Sequence, residues 1–221
     1  RKSKSHGFVV SLSGGADSAT VAVLVAMMVR LTCQEIGVAG LAEKLAHLPE
    51  AEDLQDEQQW IGRLLACVYQ ATRNSSETTR TAAESVANAL GAEFFAFDVD
   101  RLVEGYVETV SAAIGRTLNW EDDDLALQNI QARVRAPGVW LLANLRNALL
   151  LATSNRSEAA VGYTTMDGDT CGGISPIAGI DKAFLRDWLR WMETAGPDGC
   201  GPVSELTSVN VQQPTAELRP P

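Results

Sequence analysis

Apolar residues fall along this chain in two rhythms, and each rhythm predicts an element. Short apolar runs bounded by turn residues occur at 8–12, 64–69, 92–99 and 148–153, which fits four buried strands. Longer stretches between them fit helices over 17–32, 77–90 and 100–116, and a long helix that begins at the acids Glu121-Asp122-Asp123-Asp124. In 100–116, Leu102, Val103, Tyr106, Val107, Val110 and Ile114 recur at helical spacing, so the stripe is expected to face the core. Pro137 and Gly138 are expected to interrupt the long helix, which resumes over 140–146 with Trp140, Leu141, Leu142 and Leu145 as an apolar flank for the core or for an interface, the core being preferred. The segment 34–63 is helical and polar on one side, is broken by Pro49 and the acids that follow it, and reads as a solvated surface insertion. Thr72, Ser75, Ser76, Thr78 and Thr79 supply caps for the helix over 77–90, and Gly91 ends it. Strands alternating with helices predict an α/β fold with a doubly wound parallel sheet, whose ligand sits beyond the carboxyl ends of the strands.

The first such end carries the densest chemistry. Ser11-Leu12-Ser13-Gly14-Gly15-Ala16-Asp17-Ser18 joins the first strand to an apolar helix. Gly14 and Gly15 let the backbone approach a phosphate, the unpaired N–H groups of the helix start point at it, and Ser13 and Ser18 add hydroxyl donors. Asp17 would repel a phosphate unless a divalent cation lay between them, and Mg²⁺ is commonly held by one or two carboxylates and phosphate oxygens. The loop is not a Walker A sequence, because no lysine stands at its end. Its pattern Ser-Gly-Gly-x-Asp-Ser resembles the pyrophosphate loop of the N-type ATP pyrophosphatases, which implies an adenine-nucleotide α-hydrolase fold and cleavage of ATP between its α and β phosphates.

Composition narrows the partners. The 221 residues carry 18 Lys and Arg against 28 Asp and Glu, a net charge of −10, which argues against nonspecific binding of nucleic acid or anionic membrane. No single apolar run approaches the ~20 residues of a membrane span. Four scattered cysteines and two histidines, without a Cys-x-x-Cys pair, argue against structural zinc and fit a reducing cytoplasm. The basic start lacks the apolar core of a signal peptide. Both ends are abrupt, so the chain is expected to be one domain, 1–221, of a longer polypeptide.

A second polar loop follows the fourth strand, Thr153-Ser154-Asn155-Arg156-Ser157-Glu158, and Gly162-Tyr163-Thr164-Thr165-Met166-Asp167-Gly168-Asp169 comes after it. Such a run cannot pack a core and reads as structure around a polar ligand. Glu158 at this strand end pairs with Asp17 at the first, two carboxylates for one Mg²⁺.

Taken with Gln-Asn-Ile-Gln-Ala-Arg-Val-Arg over 128–135, Lys182 and Pro-Thr-Ala-Glu-Leu-Arg-Pro over 214–220, these loops make the chain resemble the NAD synthetases from residue 8 to residue 220. It is most similar to the synthetase domain of the glutamine-dependent enzymes. The resemblance implies ATP, nicotinic acid adenine dinucleotide (deamido-NAD) and ammonia as substrates, with Mg²⁺. It implies that Ser11 to Ser18 bind ATP, with Leu12, Ala16 and the other residues of the loop included. Thr153, Lys182 and Thr215 would contact the phosphates, and Asp17 and Glu158 the metal. Asn129, Arg133, Glu158 and Asp169 would lie against deamido-NAD, with Asp169 and Lys182 acting in the chemistry. Without the family, Arg133 and Arg135 read as surface helix arginines. A nitrilase-like glutaminase domain, expected upstream in this branch, is absent from the sequence, so ammonia would have to reach it from such a domain. Met166 stands where the shorter ammonia-dependent enzymes tend to have lysine, and the acidic segment that usually follows the last motif is missing. The family also implies a homo-oligomer. The alternatives are another adenylating pyrophosphatase, such as GMP synthetase or a tRNA-thiolating enzyme, and a nucleotide-binding module without catalysis.

Overall fold

Four strands alternate with helices, as the two rhythms predict. In the computed structural model, which describes residues 3–213 and 217–219, they are β1 Phe8–Ser11, β2 Leu65–Ala71, β3 Glu93–Asp98 and β4 Leu149–Leu151. They form a parallel sheet in the order β3-β2-β1-β4. The main helices are α1 Ala16–Lys44, α2 Glu57–Leu64, α3 Glu77–Leu90, α4 Asp100–Ile114, α5 Asp124–Leu145, α6 Arg156–Val161, α7 Lys182–Thr194 and α8 Thr207–Asn210.

Period-two alternation divides the core. Val10, Cys67, Tyr69 and Leu151 pack in one cluster with apolar residues of α1, α2, α3 and α7, whereas Val9, Ala66, Val68 and Leu150 pack against Val139 and Ala143 of α5. Both faces of the central strands are therefore covered, which is why their sequences are unbroken apolar runs. The chain moves outward from β1 to β3 and then returns beside β1 as β4. That reversal leaves a crevice at the carboxyl ends of β1 and β4.

Four expectations change in the folded chain. The stripe on α4 does not face the core: α4 has no buried residue, and Leu102, Tyr106, Val110 and Ile114 are about half exposed. Trp140, Leu141 and Leu145 on α5 are exposed too, and only Leu142 of that group packs inward. Helical periodicity identifies an apolar face but not what covers it.

Pro137 does not interrupt α5, which runs through it. Proline removes the amide that would bond the Arg133 carbonyl, and the helix absorbs that loss.

The segment 34–63 is not merely a solvated insertion. α1 continues to Lys44 across a break at Gly37 (φ 74, ψ 167), and Leu41, Leu48, Ala51, Trp60, Ile61 and Leu64 join the core. By length and apolar content alone α1 would pass for a membrane span, but Val21, Ala22, Val23, Val25, Ala26 and Val29 are buried in the core. Trp60 is fully buried, so Trp60→Ala is expected to cost about 3–5 kcal/mol. A lowered denaturant midpoint at unchanged slope would register it; no shift would restore the solvated reading.

Candidate active site

The loop after β1 is held open by its own hydroxyls. Ser18 Oγ accepts from the Ser13 amide (3.1 Å) and donates to the Gly15 carbonyl (3.1 Å), and Ser13 Oγ lies 3.1 Å from it. Gly15 is the N-cap of α1 and supplies no side-chain cap, so the first-turn amides remain available to an anion. Gly14 has φ +82, and a Cβ there would lie 2.2 Å from the Thr79 carbonyl oxygen of α3. Gly15 has an ordinary φ of −93, so only the first glycine is required by the backbone. Gly14→Ala is expected to push the loop off α3, since a strained backbone and a collision act together, and to weaken by at least about tenfold the binding of the ATP that the loop's sequence leads one to expect there. Titration with an ATP analogue measures it.

The opposite wall comes from the turn after β4. Asn155 caps α6: its side chain accepts from the Glu158 amide, and Glu158 reaches back to the Asn155 amide, the reciprocal capping box of an Asn-x-x-Glu sequence. Asn155, 1% exposed, also donates from Nδ2 to Asp17 Oδ1 at 2.9 Å. Asp181 caps α7, which puts Lys182 at the helix start with its amide on Ser157 Oγ at 3.0 Å. From there its Nζ forms an ion pair with Asp17 Oδ2 and lies 3.6 Å from Glu158 Oε1. Asp17 and Glu158 thus share one cation.

Burial, and then the charge of Asp17, raise the pKa of Glu158; Lys182 and the Asn155 amide oppose them. Two partly buried carboxylates facing each other require positive charge between them. Their oxygens suit a hard divalent cation, and among the described residues no cluster of three or more metal-binding side chains forms a closed protein cage.

These groups border a cavity of about 280 Å³ that also receives Ser11, Ser13, Gly15, Ala16, Ser18, Thr153 and Asp169. Most of the residues expected at the nucleotide therefore converge. Leu12 does not: its side chain is fully buried in the core, and its amide bonds the Val68 carbonyl at 2.8 Å, prolonging the sheet. Gly14 supports the loop from behind. Thr215 lies outside the described residues.

Asn129 and Arg133 face elsewhere. Asn129 Oδ1 accepts from Thr165 Oγ1 at 3.3 Å, and Arg133 Nε donates to the Met166 carbonyl at 3.1 Å. Arg133 lines a second cavity, of about 590 Å³, with Tyr106, Trp140 and Asp167. The two cavities share Ala136 and Cys171. Burial pushes the Cys171 thiol up to about 11, so it carries no thiolate near neutral pH.

Several cavity residues escaped the sequence reading. Gln70 donates to Ser11 Oγ at 2.9 Å and leaves its Oε1 without a partner among the described residues. A glutamine at the carboxyl end of a buried strand was the available signal. Arg186 follows Lys182 by one helical turn and lines the same cavity. Glu217 bonds Ser76 Oγ at 2.6 Å and Thr79 Oγ1 at 2.9 Å, while Gln131 Nε2 bonds the Leu218 carbonyl at 2.7 Å. These long-range contacts strap the 217–219 segment to the rim.

Comparison with known proteins places this geometry. The model of the NAD synthase family matches residues 1–221. A glutamine-dependent NAD(+) synthetase of Oryza sativa subsp. indica is 32% identical over 239 residues, covering 100% of this chain and 32% of the relative. The chain thus spans about a third of the length of that relative. The crystal structure of a glutamine-dependent NAD(+) synthetase from Cytophaga hutchinsonii superposes with a TM-score of 0.87 at 45% identity, over 98% of this chain and 38% of the other. A glutamine-dependent NAD+ synthetase from Acinetobacter baumannii, solved with ADP, shares the fold at 21% identity and a TM-score of 0.66, over 98% of this chain and 34% of that one. The doubly wound sheet is therefore of the N-type ATP pyrophosphatase kind expected from the first loop.

Proposed function

The chain belongs to the NAD synthase family, and we propose that it catalyses the ATP-dependent amidation of deamido-NAD to NAD through an acyl-adenylate, releasing pyrophosphate and AMP. The observation that carries this reading is the meeting of Asp17 and Glu158, from two different strand ends, on the single ammonium of Lys182.

A carboxylate is a poor electrophile and needs activation. One of its oxygens attacks the α-phosphorus, the bond from that phosphorus to the bridging oxygen breaks, and pyrophosphate leaves with the electron pair. Lys182 and the first-turn amides of α1 would stabilise that developing charge. Mg²⁺ held by Asp17 and Glu158 would neutralise the phosphate oxygens. Ammonia then adds to the acyl carbon and AMP departs. Asp169, which accepts from the Thr165 amide at 3.2 Å, orients the ammonium and takes its proton. The second cavity, with Arg133 and two aromatic rings, suits the rest of the dinucleotide. Ammonia comes from a glutaminase domain of the longer protein.

Pyrophosphate release that requires deamido-NAD together with ammonium is the expected result. Release driven by a guanylate precursor, or no release with any acceptor, would overturn the reading. The four cysteines, free thiols in the fold, support a reducing, cytoplasmic setting.

A homo-oligomer is part of the same proposal. The exposed apolar stripe of α4 and the exposed Leu141 and Leu145 of α5 suit burial against a second copy. Light scattering should find an oligomer for the wild type and monomers for the double variant Leu102→Glu/Ile114→Glu; a monomeric wild type would refute it.

A further inference from the structure

Asn155, in the turn after β4, is 1% exposed and has both ends of its side chain committed. Its Oδ1 accepts from the Glu158 amide at 3.0 Å, and its Nδ2 donates to Asp17 Oδ1 at 2.9 Å. The two bonds agree on one orientation of the group: the atom facing an N–H is oxygen, and the atom facing a carboxylate is nitrogen. Turning it over would break both. Glu158 answers with Oε2, which accepts from the Asn155 backbone amide at 3.4 Å. One buried side chain therefore touches the carboxylate of one acid and the backbone of the other, and these acids come from different strand ends.

Capping α6 does not call for an amide. Asparagine, aspartate and serine cap helices about equally well, and this chain uses Asp56 and Asp181 on α2 and α7 and Ser76 on α3. Aspartate at 155 would cap α6 but turn a third carboxylate toward Asp17. Serine would cap it and leave nothing at the place of Nδ2. What asparagine adds is a neutral donor for Asp17. With Oδ1 held by Asn155 and Oδ2 by Lys182, the Asp17 carboxylate is fixed at both oxygens. Lys182 also has Glu158 within 3.6 Å and, in the functional reading, the departing phosphate to serve. Asn155 carries no charge to share, so its hold on Asp17 does not depend on what Lys182 is doing.

We propose that Asn155 is a positioning residue: its Nδ2 fixes the carboxylate of Asp17 beside that of Glu158, so that Mg²⁺ meets a preformed pair. For the metal it rests on the functional reading above; it adds the group that sets the geometry of the pair. Without the donor, Asp17 would be free to turn away from Glu158, which the repulsion between two partly buried carboxylates favours. Metal binding would then include the cost of bringing the acids back together.

The test uses Asn155→Ser and Asn155→Thr, which keep a cap on α6 and remove the donor, in the full-length protein, each alone and combined with Asp17→Asn. Mn²⁺ serves as the metal probe, since it takes the same oxygen ligands as Mg²⁺. Its binding is read by electron paramagnetic resonance in the presence of an ATP analogue with a methylene between the α and β phosphorus atoms. Both single variants should weaken Mn²⁺ binding by about tenfold, the loss of a hydrogen bond to a charged group. In the Asp17→Asn background the same changes should matter by less than about twofold, because the side chain they act through is already neutral and no longer repels Glu158. Steady-state kinetics should show a raised Mg²⁺ requirement, with kcat at saturating Mg²⁺ within about threefold of wild type, as for a group that places a ligand and takes no part in the chemistry. Equal losses of Mn²⁺ affinity in both backgrounds would leave Asn155 as a structural cap and overturn the inference. Unchanged Mn²⁺ affinity in the single variants, or a loss of kcat that saturating Mg²⁺ does not restore, would overturn it too. A wild type that binds no Mn²⁺ together with the ATP analogue would instead overturn the functional reading.

Discussion

Replacing Asp17 with asparagine is expected to lower kcat/KM for pyrophosphate release by about a thousandfold. Asp17 is the point where the two strand ends meet: Asn155 donates to one of its oxygens and Lys182 pairs with the other. Asparagine preserves the volume and can still accept from Asn155, so the fold should survive. The variant lacks one of the two negative charges that would hold Mg²⁺ against the phosphates. Glu158→Gln should fall in the same direction. Both variants should require much more Mg²⁺ for half-maximal rate, because the lost group is a ligand rather than a proton carrier. Steady-state kinetics over a range of Mg²⁺ concentrations measures both effects. An unchanged Mg²⁺ requirement in both variants would remove the shared metal from the account.

Lys182→Met is the second large effect, with an expected loss of about a hundredfold to a thousandfold in kcat. The aliphatic stem is kept and the charge is lost. Lys182 stands beside the carboxylate pair and is only partly exposed, at 30% of its side chain, so the missing charge cannot be supplied cheaply by water. Its role lies in charge that develops as pyrophosphate departs, so kcat should fall more than ATP affinity. The Mg²⁺ requirement should not rise, in contrast to Asp17→Asn, because removing an ammonium leaves both carboxylates free for the metal. A variant that lost ATP affinity and kept kcat would identify Lys182 as a ground-state binding residue only.

Much of this site was legible because it is local. The phosphate loop is a contiguous strand–turn–helix sequence, and its amides and hydroxyls are fixed by backbone geometry within eight residues. The Asn155–Glu158 capping box is likewise a short-range pattern. The resemblance to the NAD synthetases then linked Asp17, Glu158 and Lys182, which are far apart in the chain, and the fold brings them together. Leu12 turns away from the cavity for an equally local reason. A loop motif includes residues that build the loop as well as those that face the ligand, and strand alternation turns this one into the core.

The sequence by itself determined the strands, most helices, the order in which they alternate and the chemistry at two strand ends, since these depend on neighbouring residues and on period. Only the tertiary structure decided which faces are covered. Arg133 and Arg135 differ by two positions, about 200° around a helix, so they serve different cavities. The sequence marks both as cations on one helix and cannot say which looks inward. The apolar stripe of α4 poses the same problem: periodicity orients a face relative to its own axis, whereas the burial of that face depends on what packs beside it.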